Sequence, residues 1–359
     1  MNILYLTFDD LTAPYAWTVH VRSIINRLVR SGHRVRLVAP GGQAPGIDAP
    51  CDPLPPGRLH HLMGSLKTFV RSGQDARADV VYVRGIHATV TPALAAERLQ
   101  RPIVVEINGL LEREAKSRWR RAAVRVSHRF TLARAARVVT VAPRLKDAIS
   151  SRYGFPADRI DVVPNGADAS LFRPLDRDDA RRRLGLPLDR PIVLCVASFY
   201  AHHSRELLVD AARRAGALLV LVGGKAERSQ DLIAVGPLPH DRVPDYVAAA
   251  DVCAYVLRSP YESAAFSPLK VYEYMAAGRP VVAATDLEDL RDFVNRNGIG
   301  VAVGLDGEAL AMALKDLLPD VEVRERMGHR GRDLAETTYT WDRAATGVEN
   351  ALRAALSAK

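Results

Sequence analysis

Lys270 and Glu273 stand three residues apart in the stretch SPLKVYEYMAAGRPVVAAT, residues 267 to 285. That spacing puts an ammonium and a carboxylate on one face of a helix. Ser267 suits the N-cap and Pro268 the first helical position, while Val271, Tyr274 and Met275 supply an apolar side. Gly278 can close the helix in a left-handed turn with Pro280 beyond it, and Val281, Val282 and Ala283 read as a short buried strand. The start of such a helix offers unpaired N–H groups and partial positive charge, which suits an anion. Lys270 adds a full charge there, and Glu273 suits the gripping of sugar hydroxyls. A phosphate site with a hydroxyl-binding carboxylate one turn deeper points to a nucleotide or a nucleotide-sugar. The bland alternative is a capped helix with an exposed Lys–Glu pair.

Other residues invite the same two-sided reading. Asp9 and Asp10 end the first apolar run, where ligand-facing residues of an open α/β sheet belong, or they bond within their own loop. Tyr15 and Trp17 follow; they form a stacking platform for an acceptor, or they pack the loop onto the core. His20 starts the next helical stretch with the same two readings. Arg84 and His87, in YVRGIHAT, end another strand. Gly223 and Gly224 permit close backbone approach to a ligand or make a tight turn, and Lys225 and Glu227 come next. Asp176-Arg177-Asp178 spells an Asp-x-Asp metal motif but lies among arginines, and no HExxH or Cys/His cluster is present, so no metal is expected.

The elements that must position these groups alternate. NILYLTF reads as a strand, Val21, Ile24, Ile25, Leu28 and Val29 trace a helix stripe closed by Gly32, and RVRLVAP is a second strand. That order implies a right-handed βαβ unit and a parallel sheet. Short strands at 80–83, 103–107, 138–141 and 160–163 follow. The polar segment at 172–191 reads as a connection. The pattern then restarts with PIVLCVASF, a helix from about Arg205, the strand ALLVLVGG, and shorter strands near 233–235 and 252–256. The tail from about Thr340 reads as a helix with Trp341, Val348, Leu352 and Leu356 on its apolar side. The expectation is α/β, with two doubly wound domains and a ligand cleft between them.

The chain has 359 residues, 48% of them apolar and 25% charged, which fits two medium domains of an ordinary globular enzyme. Residues 1–185 carry a net charge of +13 and residues 186–359 of −4. The basic half is an Arg-rich solvated face or a surface for an anionic membrane or acceptor. No nucleic-acid motif accompanies it, so a nucleic-acid partner is not expected. Three separated cysteines give no disulfide framework, the first residues do not read as a signal peptide, and no apolar run reaches spanning length. The expected location is cytoplasmic, with possible peripheral contact at the inner membrane face through the basic half.

VVPNGADASLFRP (162 to 174) together with the stretch at 267–285 resembles GT-B glycosyltransferases of family GT4, and RIDVVPNG, DVCAYVLRSP and YTWDRAA sit in the expected order. The resemblance covers nearly the whole chain. It implies the GT-B fold: an acceptor-binding Rossmann-like domain over 1–175, a nucleotide-sugar-binding one over 190–338, and a last helix over 339–359 crossing back to the first. It implies a retaining, metal-independent transferase with no cofactor, the nucleotide-diphospho-sugar being co-substrate. Ser267, Pro268, Leu269, Lys270 and Glu273 would bind the donor, with Gly223 and Lys225 nearby, and VGPLPHDRVPDY would lie near the base through its backbone. Asp10, Tyr15, Trp17, His20 and His87 fall in the acceptor region, for a small aminocyclitol-like, sugar or lipid-linked acceptor. The chain departs from the pattern in places. Ala265 replaces the first of two glutamates, with Glu262 upstream. His203 or Arg205 stands for the usual basic phosphate ligands, and Asn108 replaces a histidine near the donor sugar. Asn108, Arg205 and Lys270 are the expected catalytic residues. An epimerase or hydrolase of this fold, or a non-catalytic nucleotide-binding relative, are the competing readings.

Overall fold

The computed structural model describes residues 1–12, 15–54, 60–85, 88–110, 112, 117–197, 205–258 and 267–358. The chain divides into two compact units. The first contains Met1–Asn165, a short segment ending at Ser267, and Trp341–Lys359; the second contains Gly166–Glu262 and Pro268–Thr340.

In the first unit the chain runs β1 (Asn2–Thr7), α1 (Ala16–Arg30), β2 (Arg34–Ala39), β3 (Cys51–Pro53), α2 (His60–Asp75), β4 (Val80–Arg84), α3 (Thr91–Leu99), β5 (Ile103–Ile107), α4 (Arg118–Leu132), β6 (Ala135–Thr140), α5 (Pro143–Tyr153) and β7 (Ile160–Val162). The seven strands form a parallel sheet in the order β3-β2-β1-β4-β5-β6-β7. Helices cover both faces, so the central strands are apolar along their whole length rather than alternating. The strand order reverses direction at β1 and β4, the place where open α/β sheets collect ligands.

The second unit continues with α6 (Arg177–Leu184), β8 (Ile192–Val196), α7 (Arg205–Arg214), β9 (Leu218–Arg228), β10 (Leu232–Gly236), α8 (Val243–Ala249), β11 (Val252–Leu257), α9 (Leu269–Ala276), β12 (Val281–Thr285), α10 (Glu288–Arg296), β13 (Gly300–Val303), α11 (Gly307–Leu317) and α12 (Val321–Thr337). Its six-stranded sheet has the order β10-β9-β8-β11-β12-β13. The last helix, α13 (Trp341–Ser357), belongs to the first unit, where Trp341, Val348 and Leu352 are buried and Leu356 is half-buried. His33 Nε2 at 3.2 Å from Glu349 Oε1 and Arg27 Nε at 2.9 Å from Asp342 Oδ1 fix α13 beside α1.

Three readings change. The polar segment at 172–191 is not a bare connection. It holds α6, whose cap is the Asp176 carboxylate accepting from the Asp179 amide at 2.8 Å. Arg181 of that helix is buried, donating to Asp251 and to the Ala249 carbonyl. A charge-rich sequence still makes a packed helix when one arginine finds a buried acid. Second, β9 does not end at Gly223-Gly224. Both glycines have positive φ, and the strand turns there so that Ile233 pairs with Val220 and Arg228 alike. Third, the four-residue β13 is an edge strand hidden from periodicity. Its first residue is Gly300, where a Cβ would strike the Val281 backbone.

Candidate active site

Helix α9 is buried along its length except at Lys270, so its apolar side is wider than Val271, Tyr274 and Met275 alone. Tyr274 accepts a hydrogen bond from the Val196 amide at the end of β8, which locks the helix to the sheet. The start of the helix differs from its sequence reading. Pro268 is the N-cap, and Ser267 does not cap: its Oγ accepts from the Asn165 amide at 3.0 Å. The Val271 and Tyr272 amides both reach the Pro268 carbonyl, so those of Leu269 and Lys270 stand ahead of the helical ladder.

Glu273 is only 1% exposed. Lys270 Nζ donates to its Oε2 at 3.0 Å, and His240 Nε2 lies 2.7 Å from Oε1. Burial pushes this carboxyl up, and Lys270 and His240 together outweigh it, so Glu273 stays below the usual carboxylate range. The His240 ring is tilted 54° against Phe172, with ring centroids 5.3 Å apart, and its Nδ1 is buried without a partner among the described residues. The segment 235–246 therefore contributes a side chain to the helix as well as backbone. Nothing in the local sequence marks His240; only the fold brings it to Glu273.

The first unit holds a second, denser cluster at the C-terminal ends of β1, β4 and β5. Glu106 of β5 is buried. Tyr82 donates to its Oε2 at 2.6 Å, and Asn108, His20 at 2.8 Å and Arg84 at 3.5 Å meet its Oε1. Burial raises this carboxyl, but the charge and hydrogen bond of His20, then Arg84 and Tyr82, bring it down to about 2. Arg84 also bonds Asp9, which accepts from Thr7 as well. Sequence reading passed over Glu106. Its signal was a carboxylate inside the otherwise apolar strand IVVEI, because a charge in a two-face-buried strand needs partners.

Two family profiles match the chain: "Glycosyltransferase Family 4" over residues 18–171 and "Glycosyl transferases group 1" over 190–320. The chain is 30% identical over 312 residues to a 2-deoxystreptamine N-acetyl-D-glucosaminyltransferase of Streptomyces fradiae, covering 76% of this chain and 72% of that one. The chain belongs to glycosyltransferase family 4. It is also 32% identical over 256 residues to a D-inositol 3-phosphate glycosyltransferase of Nocardia farcinica (strain IFM 10152), covering 64% of this chain. This family 4 chain spans about half the length of the inositol-phosphate relatives it matches. Among solved structures it is similar to sucrose-phosphate synthase from Thermosynechococcus elongatus, with a TM-score of 0.81, 22% identity and 100% of both chains covered. That likeness gives the GT-B fold, two Rossmann-like units, as the sequence had implied.

Within this family 4 chain the expected donor residues Ser267, Pro268, Leu269, Lys270 and Glu273 gather at the start of α9. Gly223 sits at the bend of β9, and Lys225 is exposed beyond it. Arg205 at the start of α7 pairs with Glu227 and makes no bond to Lys270 or Glu273. Asn108 gives its amide nitrogen to Glu106, and its Oδ1 is left buried and without a partner among the described residues. Asp10, Tyr15 and Trp17 come together. Trp17 Nε1 donates to the Asp10 carbonyl at 2.9 Å, and the two rings lie 4.3 Å apart. The Asp10 carboxylate accepts from the Thr12 hydroxyl and amide, which lower it from its ordinary value. His20, expected in the acceptor region, is 7% exposed, with Nδ1 2.8 Å from Asn165 Oδ1 and Nε2 2.8 Å from Glu106 Oε1. His87 and His203, with His202, Ser198, Glu262 and Ala265, lie outside the described residues. Among the described residues no helix is long and apolar enough to cross a membrane, and no cluster of acids, histidines and cysteines could hold a metal.

Proposed function

We propose that the protein transfers a sugar, with retention of anomeric configuration and without a metal, from a nucleotide-diphospho-sugar to a hydroxyl of a cyclitol acceptor. The observation that carries the donor part is the start of α9. Ser267 and the leading amides of Leu269 and Lys270 precede a lysine that a buried Glu273 holds in place. Departure of the sugar builds charge on the diphosphate, and amides and an ammonium fixed before the reaction meet that charge without reorganising. Glu273 aims Lys270 and keeps lone pairs for ribose hydroxyls. Asn108 Oδ1, buried and without a partner among the described residues, is an acceptor suited to a sugar hydroxyl and carries no proton to exchange, so it orients and does not act as a base. Tyr15 and Trp17 supply the stacking face for the acceptor ring, and the Asp10 carboxylate suits its hydroxyl or amino groups. The two cyclitol-directed relatives support that acceptor class. The basic balance of the first half leaves room for a phosphorylated cyclitol, with peripheral membrane contact as a property to test.

The test is a thermal-shift panel of UDP, GDP, ADP and dTDP, with and without magnesium, on wild type and Lys270→Ala. A diphosphate at about 100 times its dissociation constant adds about 2.7 kcal/mol to stability. Stabilisation by one of the four, indifferent to magnesium and lost in Lys270→Ala, names the base and supports the site. Sugar transfer from that nucleotide to inositol phosphate or to an aminocyclitol then decides the acceptor. No stabilisation by any of the four at millimolar concentration overturns the donor reading and favours a non-catalytic relative.

A further inference from the structure

The second unit has a groove at the end of its sheet away from α9. Asp251 stands directly before β11, and its Oδ2 accepts from the amide of Ile192, the first residue of β8, at 2.7 Å. The start of α9 follows the opposite end of β11, so the length of a strand separates the two places. The groove has a volume of about 520 Å³ and is lined by Arg177 and Arg181 of α6, Arg190 ahead of β8, Asp251, Lys315 of α11 and Arg324 of α12. Leu188, Leu318 and Pro319 add apolar surface to it. A space of that size takes a small molecule as well as a simple ion.

The floor of the groove holds more cations than acids. Asp251 is buried, with Arg177 Nη1 donating to its Oδ1 at 2.7 Å and Arg181 Nη2 to its Oδ2 at 2.6 Å. Arg181 belongs to the frame, because its other donors go to the carbonyls of Ala249, Leu188 and Arg190. Arg324 is buried too. It gives Nη1 to the carbonyls of Leu317 and Leu318, and its Nη2 stands 3.9 Å from Asp251 Oδ1, beyond hydrogen-bond length. Three guanidinium groups thus meet one carboxylate. Around them, Asp178 accepts from Arg177 Nε at 3.1 Å, Asp231 holds Arg190, and Asp189 is exposed at the edge. Among the described residues Arg177 Nη2, Arg324 Nη2 and Lys315 Nζ have no hydrogen-bond partner. Buried cations call for a counter-charge and buried donors for an acceptor. Burial lowers Arg324 from its ordinary value; Asp251 opposes this and Arg177 adds to it.

We propose that this groove binds a small phosphorylated molecule. Its phosphoryl group accepts from Arg177, Arg324 and Lys315, and its carbon skeleton lies on Leu188, Leu318 and Pro319. A planar guanidinium offers paired donors that match phosphoryl oxygens, and the ammonium adds a compact charge. A phosphoryl dianion also supplies the negative charge that Asp251 alone does not. No residue of the groove belongs to α9, so the site stands apart from the donor reading.

The test is calorimetric titration of inorganic phosphate, pyrophosphate and ribose 5-phosphate into wild type, Lys315→Glu, Lys315→Arg and Lys270→Ala. Lys315 is exposed, so its variants are expected to fold. Ribose 5-phosphate is expected to saturate wild type at millimolar concentration or below and to slow amide exchange in 177–191 and 315–324. Lys315→Glu should bind it about tenfold more weakly or worse, the worth of one charge-assisted hydrogen bond, and Lys315→Arg should keep most of the affinity. Lys270→Ala should bind it as wild type does. Ribose 5-phosphate binding more tightly than inorganic phosphate upholds a phosphorylated metabolite as the ligand. Equal binding of the two upholds the phosphoryl site and makes free phosphate its ligand. Failure of all three to saturate wild type at millimolar concentration overturns the proposal. So does equal affinity in wild type and folded Lys315→Glu, and so does binding lost in Lys270→Ala, which would place the anion at α9.

Discussion

Each unit of the molecule buries one glutamate, and each glutamate is met by a histidine and a permanent cation. Glu106 has His20 and Arg84; Glu273 has His240 and Lys270. The surroundings differ in completeness. Glu106 lies in the middle of a sheet and also takes Tyr82 and Asn108, so four side chains meet it, three of them at Oε1. Glu273 sits on a short helix with one partner on each oxygen among the described residues, and its cation partner Lys270 is 25% exposed. A carboxylate met by four side chains inside a sheet acts as part of the frame. One with capacity left, beside a cation that reaches solvent, is placed to meet a ligand. Two buried acids that look alike in a sequence thus divide into an enclosed anchor and, in the donor reading proposed above, a ligand-facing group.

The largest effect that would test this division is on folding. Glu106→Ala removes the buried acid that Tyr82, Asn108, His20 and Arg84 meet, leaving Arg84 with Asp9 alone, and is expected to cost about 3–5 kcal/mol in chemical denaturation. Glu273→Ala strands only the hydrogen-bonded tips of Lys270 and His240, and the expected cost is about 1–3 kcal/mol. Equal losses would break the comparison.

Acid sharpens it. Glu106 is brought from an ordinary 4.5 to about 2 in the folded protein. A depressed acid stabilises the fold above its unfolded value and loses that contribution as pH falls through the folded one. The stabilisation, about 3 kcal/mol, should therefore be complete above about pH 5 and disappear between about pH 4.5 and 2. In Glu106→Gln that limb of the stability–pH curve should flatten. Glu273→Gln should leave most of it in place.

Catalysis comes next in size. Lys270→Ala should reduce sugar transfer about 100-fold or more, as expected when one stabiliser of developing charge is removed. Its stability should change by no more than about 1 kcal/mol, because the pair is partly solvated. The smallest expected effect is at Trp17. Trp17→Ala removes a ring contact and one hydrogen bond near the surface, and should raise the KM for acceptor several-fold with little change in stability or in diphosphate binding. A loss of diphosphate binding there would assign the aromatic pair to the donor instead.

The parallel sheets, the α1 stripe, the terminal helix and the lysine and glutamate of α9 could all be read along the chain. Continuous apolar runs, 3.6-residue spacing and a Gly-x-Pro stop are local properties, and local properties are written in consecutive residues. The α6 helix was missed because its hydrophobic stripe is nearly absent and its two buried side chains are an alanine and an arginine, the arginine stabilised by Asp251 ahead of a distant strand. The capping of α9 was misread for the same kind of reason: Ser267 has a better use for its oxygen, and the Asn165 amide that takes it is 102 positions away.

By itself, then, the sequence determined the family, the two-unit α/β scheme and the residues at the start of α9, since these depend on patterning within a few turns of chain. Tertiary structure alone decided that His240 holds Glu273, that Glu106 gathers His20, Arg84, Tyr82 and Asn108, and that His20 lies between Glu106 and Asn165. Such assignments depend on which strand ends lie side by side. A buried charge recruits partners by distance in space, and the separation of those partners along the chain carries no trace of it.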